Sequence, residues 1–186
     1  MIRVVLADAN ILFSRVLRDY IVYSTAEGLI DLHWSEQILD ELDRNLVEQR
    51  GFTHEQTTRL RDGLTGFLPQ ASVQPAPQHF EHLAAASMPD PDDRHVLAAA
   101  IAAHADVLCT ANIKDFPDDA AHQAGITVMH PDELLSGLVH EAPAAMLAVH
   151  TRITHTRKNF TSPDLLDRLV KADAPTTAAA LRGYLP

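Results

Sequence analysis

The fold is decided by the opening stretch Ile2-Arg3-Val4-Val5-Leu6-Ala7-Asp8-Ala9-Asn10. Its first part, up to Ala7, is a short apolar run rich in β-branched side chains, which is typical of a buried strand. The polar turn Asp8-Ala9-Asn10 ends this run, and an amphipathic helical pattern covers residues 12–23. A buried strand that leads directly into a helix is the building unit of a parallel α/β sheet.

Further strands are predicted by short apolar runs at residues 28–34, 105–110 and 125–129. Stretches with helical periodicity separate them, at 36–49, 53–67 and 90–103, and the proline-rich stretch 68–77 is a loop or at most a short edge strand. Strands that alternate with helices predict a parallel sheet covered by helices. We therefore expect a three-layer α/β/α domain over residues 1–140, with its functional crevice beyond the carboxyl ends of the strands.

The composition excludes several classes of protein. The chain has 186 residues and a net charge of −10, so it is not a generally basic nucleic-acid binder. Its one cysteine, Cys109, cannot form an internal disulfide, and no paired Cys/His spacing indicates a zinc site. No apolar run approaches the roughly 20 residues that cross a bilayer. We expect a soluble cytoplasmic protein without a signal peptide and with no membrane association.

Acidic residues gather at one edge of the predicted sheet. Asp8 follows the first strand, Asn112 and Asp115 follow the strand at 105–110, and Asp93 begins the helix that leads to that strand. On a helical wheel Asp93 shares a face with apolar residues, so its carboxylate points towards the core. A carboxylate in that position is costly unless it meets a cation or hydrogen-bond donors. The convergence of several carboxylates indicates a divalent metal ion.

Other assignments of the acids stay open on the residues alone. Asp90 is typical of an N-cap, Asp92 of a solvated first-turn acid, and Asp8 could be an ordinary turn aspartate. In the helix at 36–49, Glu41 and Asp43 lie at opposite edges of the apolar face. Periodicity does not choose between these two side chains.

Four segments of the chain together resemble the four motifs of PIN domains. The segments are Val4-Val5-Leu6-Ala7-Asp8-Ala9-Asn10-Ile11-Leu12, Ser35-Glu36-Gln37-Ile38-Leu39-Asp40-Glu41-Leu42, Asp90-Pro91-Asp92-Asp93-Arg94-His95-Val96-Leu97-Ala98-Ala99-Ala100 and Thr110-Ala111-Asn112-Ile113-Lys114-Asp115-Phe116. The resemblance covers about residues 1–135. The segment after it resembles the helical extension of the longer VapC-type toxin ribonucleases of bacterial toxin–antitoxin pairs.

The resemblance implies a PIN-like α/β/α fold and an endoribonuclease that depends on Mg²⁺ or Mn²⁺. Carried onto this chain, the four catalytic and metal-binding acids are Asp8, Glu41, Asp93 and Asp115, and the match favours Glu41 over Asp43. Many PIN domains have an acidic residue at the position of Asn112. In this chain Asp115 is then the remaining acid of the fourth motif. The family also implies an RNA substrate, a cognate antitoxin protein and a homodimer. Hard carboxylate oxygens suit a Mg²⁺ ion that activates water for phosphodiester hydrolysis.

Two classes of function are alternatives to a nuclease. Another aspartate-based phosphohydrolase, of the haloacid dehalogenase type, needs a second Asp where Asn10 stands, and a phospho-accepting receiver domain needs an acidic pair after the first strand. Neither pattern is present. A catalytically silent PIN-like interaction module is the other alternative, and the presence of all four acids argues against it.

Residues 141–186 are predicted to form a helical C-terminal extension, because no strand pattern remains and prolines divide the segment. From Met146 onwards it carries six basic and three acidic residues, in contrast with the acidic chain as a whole. Arg152, Arg157 and Lys158 concentrate this charge. Two interpretations are equally supported: the extension positions RNA, or it packs through its leucines and offsets the acidic body.

Overall fold

The computed structural model describes residues 2–81, 83, 90–116, 118–156 and 161–185. In these ranges five parallel strands form one sheet in the order β3-β2-β1-β4-β5. The strands are β1 (Arg3–Ala7), β2 (Ile30–Ser35), β3 (Ser72–Val73), β4 (Val107–Cys109) and β5 (Thr127–Met129). The helices are α1 (Ala9–Phe13), α2 (Arg15–Ala26), α3 (Glu36–Arg50), α4 (His54–Phe67), α5 (Pro77–Glu81), α6 (Arg94–Ala102), α7 (Asp118–Gln123), α8 (Pro131–Glu141), α9 (Pro143–Thr156), α10 (Ser162–Lys171) and α11 (Pro175–Arg182). This arrangement confirms the predicted α/β fold with a parallel sheet and helices after it.

The strand order reverses at β1. From β1 the chain builds outwards through β2 to β3, and it then returns to the other side of β1 for β4 and β5. Val5 consequently pairs with Leu32 on one side and with Val107 on the other. In open parallel sheets, ligands bind beyond the carboxyl ends of the strands at such a reversal. The segments that follow β1 and β4 are therefore the expected place for a site.

The first helical stretch differs from its prediction. The structure has two helices, α1 and α2, because Ser14 adopts an extended conformation with φ −73° and ψ 109°. The Arg18 guanidinium donates a hydrogen bond to the Leu12 carbonyl, one of the carbonyls that the break leaves without a helical partner. Apolar periodicity cannot reveal this break, since Leu12 and Val16 are buried on either side of it.

The start and end of α3 follow the predicted capping residues. The Ser35 hydroxyl accepts the Ile38 N–H at 3.3 Å, and Gly51 ends the helix in the left-handed conformation at φ +66°. β3 is a two-residue edge strand, as the prolines around it predict. The stretch at 90–103 begins with a 3-10 turn over Pro91–Asp93 before α6 starts, so Asp93 lies at the junction and not inside a regular helix.

The helices after the sheet share a core with α2. The Tyr20 hydroxyl lies 2.5 Å from His150 Nδ1 of α9, and the Ser24 hydroxyl donates to the Met146 sulfur at 3.5 Å. All four side chains are buried. None of the helices in the described ranges combines the length and apolar character of a bilayer span.

The amino terminus of α11 is fixed by a side chain of α8. The Asp132 carboxylate accepts the N–H of Thr176 at 3.0 Å and the N–H of Thr177 at 2.7 Å, and it also accepts the Thr177 hydroxyl at 2.8 Å. Burial raises the pKa of Asp132, but these hydrogen bonds outweigh burial and the net pKa is lowered. α8 and α11 therefore form one packed unit.

Candidate active site

Asp8 lies at the reversal of the sheet, directly after β1. Its N–H donates to the Cys109 carbonyl of β4 at 3.0 Å, and its own carbonyl accepts the Ile11 N–H at the start of α1 at 3.1 Å. The residue is only 6% exposed. Its carboxylate oxygen Oδ2 accepts the Thr110 hydroxyl at 2.7 Å and the Asn10 amide. Burial raises the pKa of Asp8, and the Thr110 hydrogen bond opposes that rise.

Asn10 and Thr110 connect the two loops that carry the predicted acids. The Asn10 amide also donates to the Thr110 hydroxyl at 3.1 Å, and its carbonyl oxygen accepts the Ala111 N–H at 3.1 Å. The Thr110 hydroxyl accepts the Asn112 N–H at 3.0 Å. The loop after β4 is thereby held against the loop after β1. Sequence reasoning did not assign Thr110 a role in the site, although a polar residue at the carboxyl end of a buried strand is a signal for one.

Glu41 projects from α3 towards the start of α6. Its side chain is 29% exposed, and Oε2 lies 3.5 Å from His95 Nε2. The other ring nitrogen of His95 lies 2.6 Å from the Asp92 carbonyl, which can only accept a hydrogen bond, so Nδ1 carries the proton. Burial lowers the pKa of His95, but the nearby Glu41 carboxylate and the hydrogen bond to the Asp92 carbonyl outweigh burial, so the net pKa is raised. The sequence did not predict a role for His95, because a single histidine lacks the paired spacing typical of metal ligands.

Asp43 faces a different part of the molecule. Its Oδ2 lies 3.3 Å from the Arg61 guanidinium of α4, which also binds Asp40 at 2.7 Å. Glu41 and Asp43 are two residues apart, which corresponds to about 200° around the axis of an α-helix. Their side chains therefore point to different neighbours. Glu41 thus lies with the acids near Asp8, whereas Asp43 belongs to an ion-pair cluster between α3 and α4.

Asp93 and Asp115 complete the group of acids. Asp93 is half-buried just before α6, and Asp115 is half-buried in the 3-10 turn Ile113–Asp115 that follows Asn112. Burial, and after it the negative charges of Asp8, Asp90, Asp115 and Glu41 in that order, together raise the pKa of Asp93 to about 6. The other three predicted acids therefore all lie close enough to act on Asp93 at this edge of the sheet.

The acids surround the site without forming a closed cage. Within the described ranges, no three Asp, Glu, His or Cys side chains are close enough together to ligate one metal ion directly. The chemistry of the group nevertheless fits a hard divalent cation, because it consists of carboxylate oxygens whose mutual repulsion a cation would remove. Asp90 and Asp92 do not add to the group of candidate ligands, since the Asp90 carboxylate caps the turn by accepting the Asp92 N–H at 2.9 Å and Asp92 is exposed.

Comparison with known proteins identifies two families along the chain. Residues 3–114 match the PIN domain, and residues 131–183 match the VapC50 C-terminal domain. A protein of Mycobacterium tuberculosis (strain ATCC 25618 / H37Rv), named "Putative ribonuclease VapC50", is 39% identical over 97 residues, which are 50% of this chain and 56% of that protein. This chain therefore aligns with little more than half of that relative. No solved structure matches the chain. Because the PIN match spans more than half of its residues, the chain belongs to the PIN-domain family, as a VapC-type member with a VapC50 C-terminal domain.

Proposed function

We propose that this protein is an endoribonuclease that hydrolyses RNA phosphodiester bonds with Mg²⁺ or Mn²⁺, and that Asp8, Glu41, Asp93 and Asp115 are its catalytic acids. The observation that carries the proposal is the environment of Asp93, on which four other carboxylates act. Such crowding of carboxylates is typical of metal-dependent nuclease chemistry. Membership of the PIN family and the likeness to a relative whose name describes a ribonuclease support the same activity.

The four acids would hold the ion through carboxylate oxygens, either directly or through water. When bound, a Mg²⁺ or Mn²⁺ ion supplies a water molecule activated for attack and neutralises charge on the phosphate. Asp8 is the most firmly positioned of the four acids. The Thr110 hydroxyl and the Asn10 amide both donate to Oδ2, so we assign Oδ1 of Asp8 to the ion.

Glu41 and His95 are proposed to act as a pair. His95 has its Nδ1 proton committed to the Asp92 carbonyl, so only Nε2 faces Glu41. A protonated His95 would hold Glu41 by an ion pair, and a neutral one would leave Glu41 free to turn towards the cation. His95 is therefore a positioning residue for Glu41.

Substitution of single acids tests the proposal. Asp8→Asn and Asp93→Asn should each lower Mg²⁺-dependent RNA cleavage by roughly a hundredfold or more, about 2.7 kcal/mol of transition-state stabilisation. Each should also weaken Mg²⁺ binding in titration calorimetry while thermal unfolding shows an intact fold. Asp92→Asn is the matched control, because it makes the same chemical change at the exposed neighbour of Asp93. Full activity in both Asp8→Asn and Asp93→Asn would remove the assignment.

We further propose that the protein is the toxin of a toxin–antitoxin pair in the cytoplasm, that a cognate antitoxin protein covers the acidic site, and that the toxin is a homodimer. Its VapC-type membership supports this proposal. Expression of the chain alone should arrest growth, and co-expression of the neighbouring reading frame should restore it. Analytical ultracentrifugation measures the oligomeric state.

A further inference from the structure

A groove of about 550 Å³ opens beside the loops that hold Asp8. At one end it is lined by Asn10 and Ala111, which are hydrogen-bonded to each other. The Asn10 amide also donates to the Asp8 carboxylate. Its cationic lining comes from three separate helices: Arg15, Arg18, Arg50, Arg168 and Lys171. Among the described residues no acidic side chain lines it. We call this feature the cationic groove.

The concentration of charge in the cationic groove is large for this chain. The sequence has 15 lysine and arginine residues against 25 acidic ones, and a third of those basic residues line this one surface. Because the molecule as a whole repels polyanions, a local concentration of cations beside the acids provides a path for a phosphate chain.

Two of the arginines are fixed in place by the protein. The Arg18 guanidinium donates to the Leu12 carbonyl, and the Arg50 guanidinium lies 5.0 Å from the centre of the Phe13 ring. Burial, and to a smaller extent the charge of Arg15, together lower the pKa of Arg18 to about 10. Repulsion between positive charges that line one groove is relieved when an anion binds there. The lining therefore favours an anionic ligand.

The lining favours a nucleic acid over other anions. The half-buried side chains of Phe13 and Phe52 also line the groove, and the Arg50 guanidinium lies over the Phe13 ring. Aromatic rings interleaved with basic side chains are the combination that binds single-stranded nucleic acid, since bases stack while phosphates meet cations. Resting on the ribonuclease function proposed above, we propose that the cationic groove binds the phosphates of a single RNA strand next to the scissile bond, and that α10 supplies one of its walls.

This inference gives the C-terminal helices a role in substrate binding. Leu165, Leu166 and Leu169 bury one face of α10, while the exposed Arg168 and Lys171 line the groove. Of the residues that the sequence singled out instead, Arg157 and Lys158 lie outside the described residues. The Arg152 guanidinium lies 4.7 Å from the centre of the Tyr23 ring and 3.9 Å from Glu27, so it packs against α2.

The test measures RNA affinity in full-length protein that carries Asp8→Asn, so that the RNA stays intact. The probe is a fluorescein-labelled single-stranded RNA, followed by anisotropy at several KCl concentrations. Adding Arg168→Ala with Lys171→Ala should weaken binding at least tenfold at about 150 mM KCl. It should also flatten the slope of log K against log salt by about 1.4, because each phosphate contact on a single strand contributes roughly 0.7.

Two further variants serve as controls. Arg44→Ala with Arg182→Ala removes the same charge from exposed positions that do not line the groove, and it should leave the slope unchanged. Arg168→Lys with Lys171→Arg keeps both charges and should retain most of the affinity. In the active protein, Arg168→Ala with Lys171→Ala should raise KM while kcat stays near that of the wild type, since phosphate contacts remote from the reacting bond stabilise ground state and transition state alike.

The outcomes separate this inference from the proposed function. If the wild type cleaves RNA and Arg168→Ala with Lys171→Ala binds RNA like its control, the groove inference is overturned and the ribonuclease proposal stands. If that variant loses RNA binding but the wild type shows no metal-dependent cleavage, the ribonuclease proposal is wrong and the groove is supported. If RNA binding is unchanged but a co-expressed antitoxin no longer co-purifies, the groove is a protein interface and the inference is overturned.

Discussion

His150 is held between two hydroxyl groups in the core that α2, α9 and α10 share. Its Nδ1 contacts the Tyr20 hydroxyl, and its Nε2 lies 2.6 Å from the Ser162 hydroxyl. Because a hydroxyl can donate or accept, neutral imidazole is satisfied in this position. Burial disfavours the charged imidazolium and lowers the pKa of His150 below its ordinary value of 6.5.

The stability of the protein should therefore depend on pH through His150. His150 binds a proton more readily in the unfolded chain than in the folded one. Its stabilising contribution is therefore present above about pH 6.5 and is lost as the pH falls below that value. We expect the difference in the free energy of unfolding between the wild type and His150→Gln to shrink between pH 7.5 and pH 5.5 in urea titrations. Comparing the two chains cancels the contributions of groups that both share, such as His95. A difference that stays constant over this range would contradict the assignment.

Glu41 and Asp43 provide a second comparison between single residues. Glu41 faces His95 and its charge reaches Asp8 and Asp93, whereas Asp43 pairs with Arg61. Cleavage rates of Glu41→Gln and Asp43→Asn should differ by at least roughly tenfold, about 1.4 kcal/mol of transition-state stabilisation. Measured kcat/KM on one RNA substrate checks this, with thermal unfolding to confirm that both variants fold. Equal rates would reopen the choice between these two acids.

The same residues show what the sequence could and could not predict. The half-buried position of Asp93 agrees with the apolar face predicted for the stretch at 90–103, although the residue lies just before the regular helix, and the place of Asp8 follows from the end of a buried strand. The different partners of Glu41 and Asp43 could not be derived, because both lie at the edges of the apolar face and their partners come from other segments. His95 faces Glu41 through a tertiary contact that no local pattern records, whereas the position of Thr110 at the end of a buried strand was a signal for its role.

Among helices and strands, those with local signals were predicted best. α3 begins and ends at its capping residues because Ser35 and Gly51 act on the adjacent backbone. The break at Ser14 carries no such signal, since the apolar face continues across it and the Arg18 hydrogen bond compensates for it. The strands are shorter than the apolar runs that predict them: β4 covers Val107–Cys109 of the run at 105–110. Apolar character records burial, whereas a strand requires a hydrogen-bonded neighbour.

The arrangement of the helices after the sheet depends on long-range contacts in the same way. Composition predicts that this segment is helical, and its prolines lie at the starts of α9, α10 and α11. Its docking surface does not follow from composition. It depends on Tyr20 and Ser24 of α2, more than a hundred residues away, and on the Asp132 carboxylate that holds the start of α11.

Across the whole molecule, the shared core joins the C-terminal helices and the sheet into one structural unit. α2 packs against β2 and also against α9 and α10, so its buried side chains serve both parts of the molecule. Loss of either part would expose Tyr20, Ile21 and Leu17, which are at most 3% accessible. Burial of apolar area of this kind makes separate unfolding of the two parts unfavourable.

A substitution in α10 should therefore destabilise the sheet. Leu169 is fully buried, and Leu169→Ala should lower the free energy of unfolding by about 2–5 kcal/mol through lost burial and the cavity left behind. The chain has a single tryptophan, Trp34, which is fully buried in β2, so its fluorescence reports unfolding of the sheet alone. In the urea titration of Leu169→Ala, the Trp34 transition should shift to lower urea and coincide with the loss of helical circular dichroism. Val170→Ala is the control, because that side chain is 49% exposed and its removal should shift the transition little. If the Trp34 transition of Leu169→Ala stayed at the wild-type midpoint while helical signal was lost earlier, the C-terminal helices would fold and unfold independently of the sheet.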